Sequence, residues 1–182
     1  MMDTVGDLIQ GAVFSLPLKM ESGTMRVAKN PVDGQLYYSG LTGWQAGATR
    51  EGSIQRMRYT GEKGIYVIEA KARPGRLEID FNRSLDPALL EDISGWQATM
   101  WNYQWSNVYG SPHYKVTEPG TEGVDTLTLG RRLMDRDGTR LILEIPDLLP
   151  CHTLKLDFSV AGLEAGELEG PLYFTIHELP ED

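Results

Sequence analysis

The sequence predicts an all-β protein: an antiparallel β-sandwich preceded by a four-stranded segment resembling one propeller blade. Three observations carry this. Apolar and polar side chains alternate in "RLEIDFN", "HTLKLDFSV" and "LYFTIHEL", the period of a half-buried strand. Turn-forming runs ("RPGR", "RDGT", "PDLLP", "EPGTEG") separate these stretches, within a composition of 20 glycines and 10 prolines. A single stretch, "SLDPALLEDIS", reads as helical.

In chain order, the first candidates are "AVFSLPLK", "MRVAKN", "GQLYYSGL" and "IQRMRYT", with turns at "MESGT", "NPVDG" and "TGWQAGATREG". Four antiparallel strands in about 50 residues make one blade, and a single blade cannot bury both of its faces. The expected division is residues 1–60 for the blade and 61–182 for the sandwich of roughly seven strands. In the second part, "GIYVIEA", "DTLTLGR" and "TRLILEI" join the three alternating runs. "RLEIDFN" puts Leu77, Ile79 and Phe81 on one face, "HTLKLDFSV" puts Leu154, Leu156, Phe158 and Val160, and "LYFTIHEL" puts Leu172, Phe174 and Ile176. Asp137-Gly138 marks a hairpin. In the helical stretch, Asp86 is the cap, Pro87 the first helical residue, and Leu89, Leu90 and Ile93 face inward over two turns at most.

The formal net charge is −9 with a pI near 4.8. Such a chain repels phosphate backbones and anionic membranes, so no nucleic-acid partner is expected. No apolar run reaches the ~18 residues a membrane span needs. The first 20 residues lack the basic region and continuous apolar core of a signal peptide, so the chain taken alone reads as cytoplasmic. With Cys151 as its one cysteine, the chain forms no internal disulfide, and a small buried thiol is expected.

The aromatic row Trp101, Tyr103 and Trp105 falls on one face if the strand runs through it. One reading buries the rings in the core or a seam. It is favoured because each large aromatic removes about 150–250 Å² from water. The other makes them a platform for sugar faces, with Asn102, Gln104 and Asn107 as hydrogen-bonding neighbours; a mixed role lies between. A second aromatic, Trp44, sits among Gly40, Gly43 and Gly47, where a loop either binds a ligand or docks. His113, His152 and His177 share no metal-ligand spacing in sequence. Asp135 and Asp137 in "MDRDGTR" faintly match a calcium loop, but the remaining ligands are missing and a hairpin turn fits better. Ser111 in "YGSPH" is not a nucleophile elbow, and no glycine-rich phosphate loop occurs.

Four stretches carry a family resemblance. "GAVFSLPLKMESGTMRVAKNPVDGQLYYSGLTGWQ" resembles the final blade of large secreted β-propeller proteins of the sorbosone-dehydrogenase-like type, which occur with c-type cytochrome modules in planctomycete- and verrucomicrobia-like bacteria. "QRMRYTGEKGIYVIEAKARPGRLEIDFNRSLDP" looks like their blade-to-sandwich junction. "WNYQWSNVYGSPHYKVTEPGTEGVDTL" and "LYFTIHEL" are similar to their C-terminal Ig-like domain. His113 departs from the acidic residue expected there. The resemblance implies an extracytoplasmic location and a quinoprotein-like sugar dehydrogenase as parent protein, with haem c or a quinone outside this chain. It makes the chain a non-catalytic closing module whose partners are the rest of the propeller or a cytochrome module. A carbohydrate-binding module using the Trp101–Trp105 face is the alternative. A third reading has Arg26, Gln35 or Trp44 line a channel completed by other sequence. The ligand-binding candidates are thus Trp101, Tyr103, Trp105, Trp44 and Arg26.

Overall fold

The computed structural model describes the chain apart from residues 17, 44–46, 62, 91–93 and 181–182, with residues 89 and 90 described by backbone only. The protein is all-β, built from antiparallel sheets. Its strands are β1 (Met2–Val5), β2 (Leu8–Phe14), β3 (Gly23–Lys29), β4 (Leu36–Leu41), β5 (Gly52–Met57), β6 (Val67–Arg73), β7 (Arg76–Phe81) and β8 (Gln97–Trp101). They continue with β9 (Asp125–Leu127), β10 (Arg132–Met134), β11 (Arg140–Glu144), β12 (Cys151–Asp157), β13 (Ser159–Ala161), β14 (Glu167–Glu169) and β15 (Leu172–Ile176).

The chain divides into two units, one of residues 1–15 and 63–182 and the other of residues 16–62. In the larger unit, a six-stranded sheet runs β1-β2-β15-β12-β8-β9 and a four-stranded sheet runs β10-β11-β7-β6, with β13-β14 as a separate pair. Leu77, Ile79, Phe81, Leu141 and Leu143 from the four-stranded sheet share one buried cluster with Met100, Leu154, Leu156, Leu172, Phe174 and Ile176 from the six-stranded sheet. The alternating residues expected to face inward therefore do so. Cys151 lies at the edge of this cluster, and burial pushes its thiol up to about 12, which keeps it protonated at neutral pH.

Turn chemistry accounts for the hairpins. Pro74-Gly75 joins β6 to β7, with Gly75 at φ 68°, the positive value its turn position requires. Asp135 closes the β10–β11 hairpin: its carboxylate accepts the Thr139 and Arg140 amides at 2.9 and 3.0 Å, as the Asp137-Gly138 signal anticipates.

One feature differs from expectation. Sequence reading assigns the first strand to a blade within residues 1–60, whereas β2 pairs with β15, and β1 flanks β2 through a two-residue Gly6-Asp7 turn. Residues 1–15 lie with residues 63–182 because Ala12 and Val5 are buried there and the Gln10 side chain accepts the amides of His177 and Glu178 at 2.9 and 3.1 Å. In the helical stretch the described residues form a 3-10 turn, Pro87–Leu90, within the two turns expected, with Asp86 accepting the Ala88 amide at 2.9 Å as the cap. Ile93 lies outside the described residues.

The smaller unit is the antiparallel sheet β3-β4-β5. Among its described residues only Ser22 is buried, while Met25, Val27, Leu41 and Ile54 are exposed. Three thinly covered strands bury too little apolar surface to be stable alone.

Across β7 and β11, Arg140 donates to the Asp80 carboxylate from Nε and Nη2, at 2.6 and 2.8 Å. The Arg140 hydrogen bond holds the Asp80 carboxyl below its ordinary value, against an opposing push from burial. Folding thus favours the ionised form, so the contribution is complete above about pH 5 and is lost as pH falls through the lowered folded value. Asp80→Asn is expected to cost about 1 kcal/mol at neutral pH, since Arg140 is partly exposed and screened. Denaturant titrations along a pH series should show the gap to wild type closing as pH falls below about 5 and through the lowered folded value. A gap independent of pH would assign the loss to packing.

Candidate binding loop

β8 ends at Trp101 because the chain leaves the sheet there. Asn102 then pairs with Tyr114 through two backbone hydrogen bonds of 2.8 and 2.9 Å, which closes residues 103–113 into a loop. Further contacts hold its course. The Tyr103 amide donates to Nδ1 of His152 at 2.9 Å, the His152 amide donates to the Asn102 side chain at 2.9 Å, and the Gln104 amide donates to Ser111 Oγ at 3.1 Å. Accepting at Nδ1 leaves the neutral His152 ring with its proton on Nε2. Ser106 Oγ accepts the Val108 amide at 3.3 Å, and Gly110 takes φ 83° to turn the chain back. Beyond Tyr114, the Asp125 carboxylate accepts the Val116 and Thr117 amides and the Thr117 hydroxyl. Burial pushes this carboxyl up, but the hydrogen bonds from Thr117 and Val116 outweigh it and the net shift is downward.

The three aromatic residues of the row part company. Alternation sends Ala98 and Met100 into the core and Trp101 onto the opposite face of the sheet, where it is 7 % exposed under the stacked ring of His113, 4.4 Å away. Tyr103, 41 % exposed, stacks on His152 at 6.2 Å and meets His113 edge-on at 5.7 Å. Trp105 is fully exposed, at 102 %. The row does not share one strand face, because β8 stops before Tyr103. Trp101 is a packing residue whose indole Nε1 is buried without an acceptor among the described residues, and Trp105 belongs to the surface.

Sequence reasoning missed Tyr109, which is as exposed as Trp105, and Val108 beside it. The signal lay in composition. From residue 93 to residue 114 there is no Asp, Glu, Lys or Arg, in a chain that carries 43 of them (17 + 26). Aromatic side chains, serines, asparagines and a glycine fill the loop instead, the mixture that rigid recognition loops use.

Of the other candidates, Arg26 is exposed and donates to its neighbour's carbonyl, that of Met25, at 2.8 Å. Gln35 has its side-chain oxygen buried without a partner, and its amide donates to Asp33 at 3.0 Å. Trp44 lies outside the described residues. His177 follows β15 and is exposed. Among the described residues, no three His, Cys, Asp or Glu side chains gather as a metal site. A depression of about 320 Å³ beside the β10–β11 hairpin is lined by Ser84, Leu85, Met134 and Leu163, with Asp135 already committed to backbone amides. Comparisons with protein-family models, with curated proteins and with solved structures find no match.

Proposed function

We propose that the chain is a non-catalytic binding and interaction module that contacts its partner through loop 103–113. It serves as the C-terminal part of a larger secreted, cytochrome-linked propeller protein of the sorbosone-dehydrogenase-like type. One observation carries the binding role: Trp105 and Tyr109 stand fully exposed on a loop whose base is pinned by backbone pairing and by His152. Large rings in solvent forgo several kcal/mol of burial, and docking recovers about 25 cal/mol per Å² covered. Pinning lowers the ordering cost of that step.

The place in a larger protein rests on the sequence resemblance. Two sheets facing one core support the Ig-like reading of the larger unit, and the thinly covered β3-β4-β5 sheet supports a blade-like role for residues 16–62. Haem c or a quinone then belongs to other modules of the parent, whose location is extracytoplasmic.

The test is retention by two immobilised probes, a panel of polysaccharides and a displayed-peptide library. Wild type is expected to be retained by at least one probe. Trp105→Ala/Tyr109→Ala should reduce retention at least tenfold with Tm unchanged within about 2 °C, as expected for surface substitutions. Absence of wild-type retention on both probes, or retention indifferent to the double substitution, overturns the reading.

A further inference from the structure

From the chemistry of the same loop we infer that its ligand is a neutral glycan, bound by Trp105 and Tyr109 stacking on sugar faces while Gln104, Ser106 and Asn107 reach the hydroxyls. This rests on the binding role proposed above. The absence of charge decides the class. A phosphorylated or sulfated ligand, or a uronic-acid polymer, is recognised by Arg and Lys, and an ammonium-bearing ligand by carboxylates. Residues 93–114 offer neither, although the chain has 17 basic and 26 acidic residues elsewhere. The exposed surface is aromatic and apolar, with Val108, Pro112 and His113 beside the rings, interrupted by amides and a hydroxyl: Gln104, Ser106 and Asn107 are all exposed around Trp105. A pyranose presents the complementary pattern, a C–H face for the ring and equatorial hydroxyls for the amides.

The loop is prepared for such a ligand. Tyr103 at its start is held between His113 and His152, and the Gln104 backbone amide donates to Ser111 Oγ, so the loop backbone is held while the exposed Trp105 and Tyr109 rings and the Gln104 and Asn107 side chains order on binding. Weak contacts of this kind need a preorganised surface to give measurable affinity. Trp101 has no part in the contact, since it is covered by His113.

Native affinity gels test the inference, using soluble neutral polysaccharides (a β-glucan, a xyloglucan and a galactomannan), alginate and heparin as charged controls, and the displayed-peptide library as a separate arm. Wild type should be retarded by at least one neutral polysaccharide, and the retardation should persist when salt is raised from about 50 to 500 mM, because no ion pair contributes. Trp105→Ala and Tyr109→Ala should each weaken retardation at least fivefold, with Trp105→Phe recovering most of it. Retardation by alginate or heparin alone, or by no polysaccharide, overturns the glycan assignment. If the loop variants instead lose a peptide that wild type selects while the neutral gels stay blank, the binding role stands and the ligand class falls.

Discussion

Trp101→Ala is expected to lower stability by about 3–5 kcal/mol, the range for truncating a buried large aromatic. Trp101 sits on the outer face of the six-stranded sheet, yet it is 7 % exposed because His113 stacks on it at 4.4 Å. Removing the indole deletes apolar burial and also the surface against which the end of loop 103–113 rests. Trp101→Phe should cost far less. Phenyl keeps the stack, and the substitution removes an indole N–H that is buried without an acceptor, a group that itself carries a penalty of about 1–3 kcal/mol. Denaturant unfolding of both variants checks this. Equal losses would show that phenyl recovers none of the indole's packing and that the buried N–H carries no penalty. Small losses in both would show that the His113 cover is easily displaced.

The second large effect concerns the first fifteen residues. Deleting residues 1–15 should abolish cooperative unfolding, because β2 is the neighbour of β15 and supplies Ala12 to the core. The deletion also strips the Gln10 acceptor from the His177 and Glu178 amides and removes Asp3, which pairs with Arg73 at 2.8 Å while itself buried. An arginine left half-buried without its carboxylate adds to the loss. Excising residues 16–62 instead, with a flexible Gly/Ser linker from Ser15 to Lys63, should preserve a cooperative transition. Every residue of the buried cluster lies in 1–15 or 63–182. Calorimetry of the two deletions decides the matter. A cooperative peak in the 1–15 deletion, or its absence in the excised chain, would mean that the unit boundaries do not follow the core.

The contrast marks where local reading stops. The all-β class and most strands of the second part were legible: β7, β12 and β15 fall where alternation places them, β11 falls on the strand-like stretch "TRLILEI", and the turns fall at Pro74-Gly75 and Asp137-Gly138, whose glycines take positive φ. Gly6-Asp7 carried a similar signal for the β1–β2 hairpin. It says that two strands pair with each other but not which sheet they join.

Alternation and turn chemistry are properties of neighbouring residues, and they determined that this chain is all-β, where most strands of its second part run and which of their side chains line the core. Sheet membership and the course of loop 103–113 depend on partners far along the chain: Gln10 with His177, Tyr103 with His152, Trp101 with His113. Only the tertiary structure could decide them, because burial of a ring or an amide is set by what arrives to cover it. For the same reason, two tryptophans four residues apart, equivalent in the sequence, end as a packed support and a ring held out to solvent.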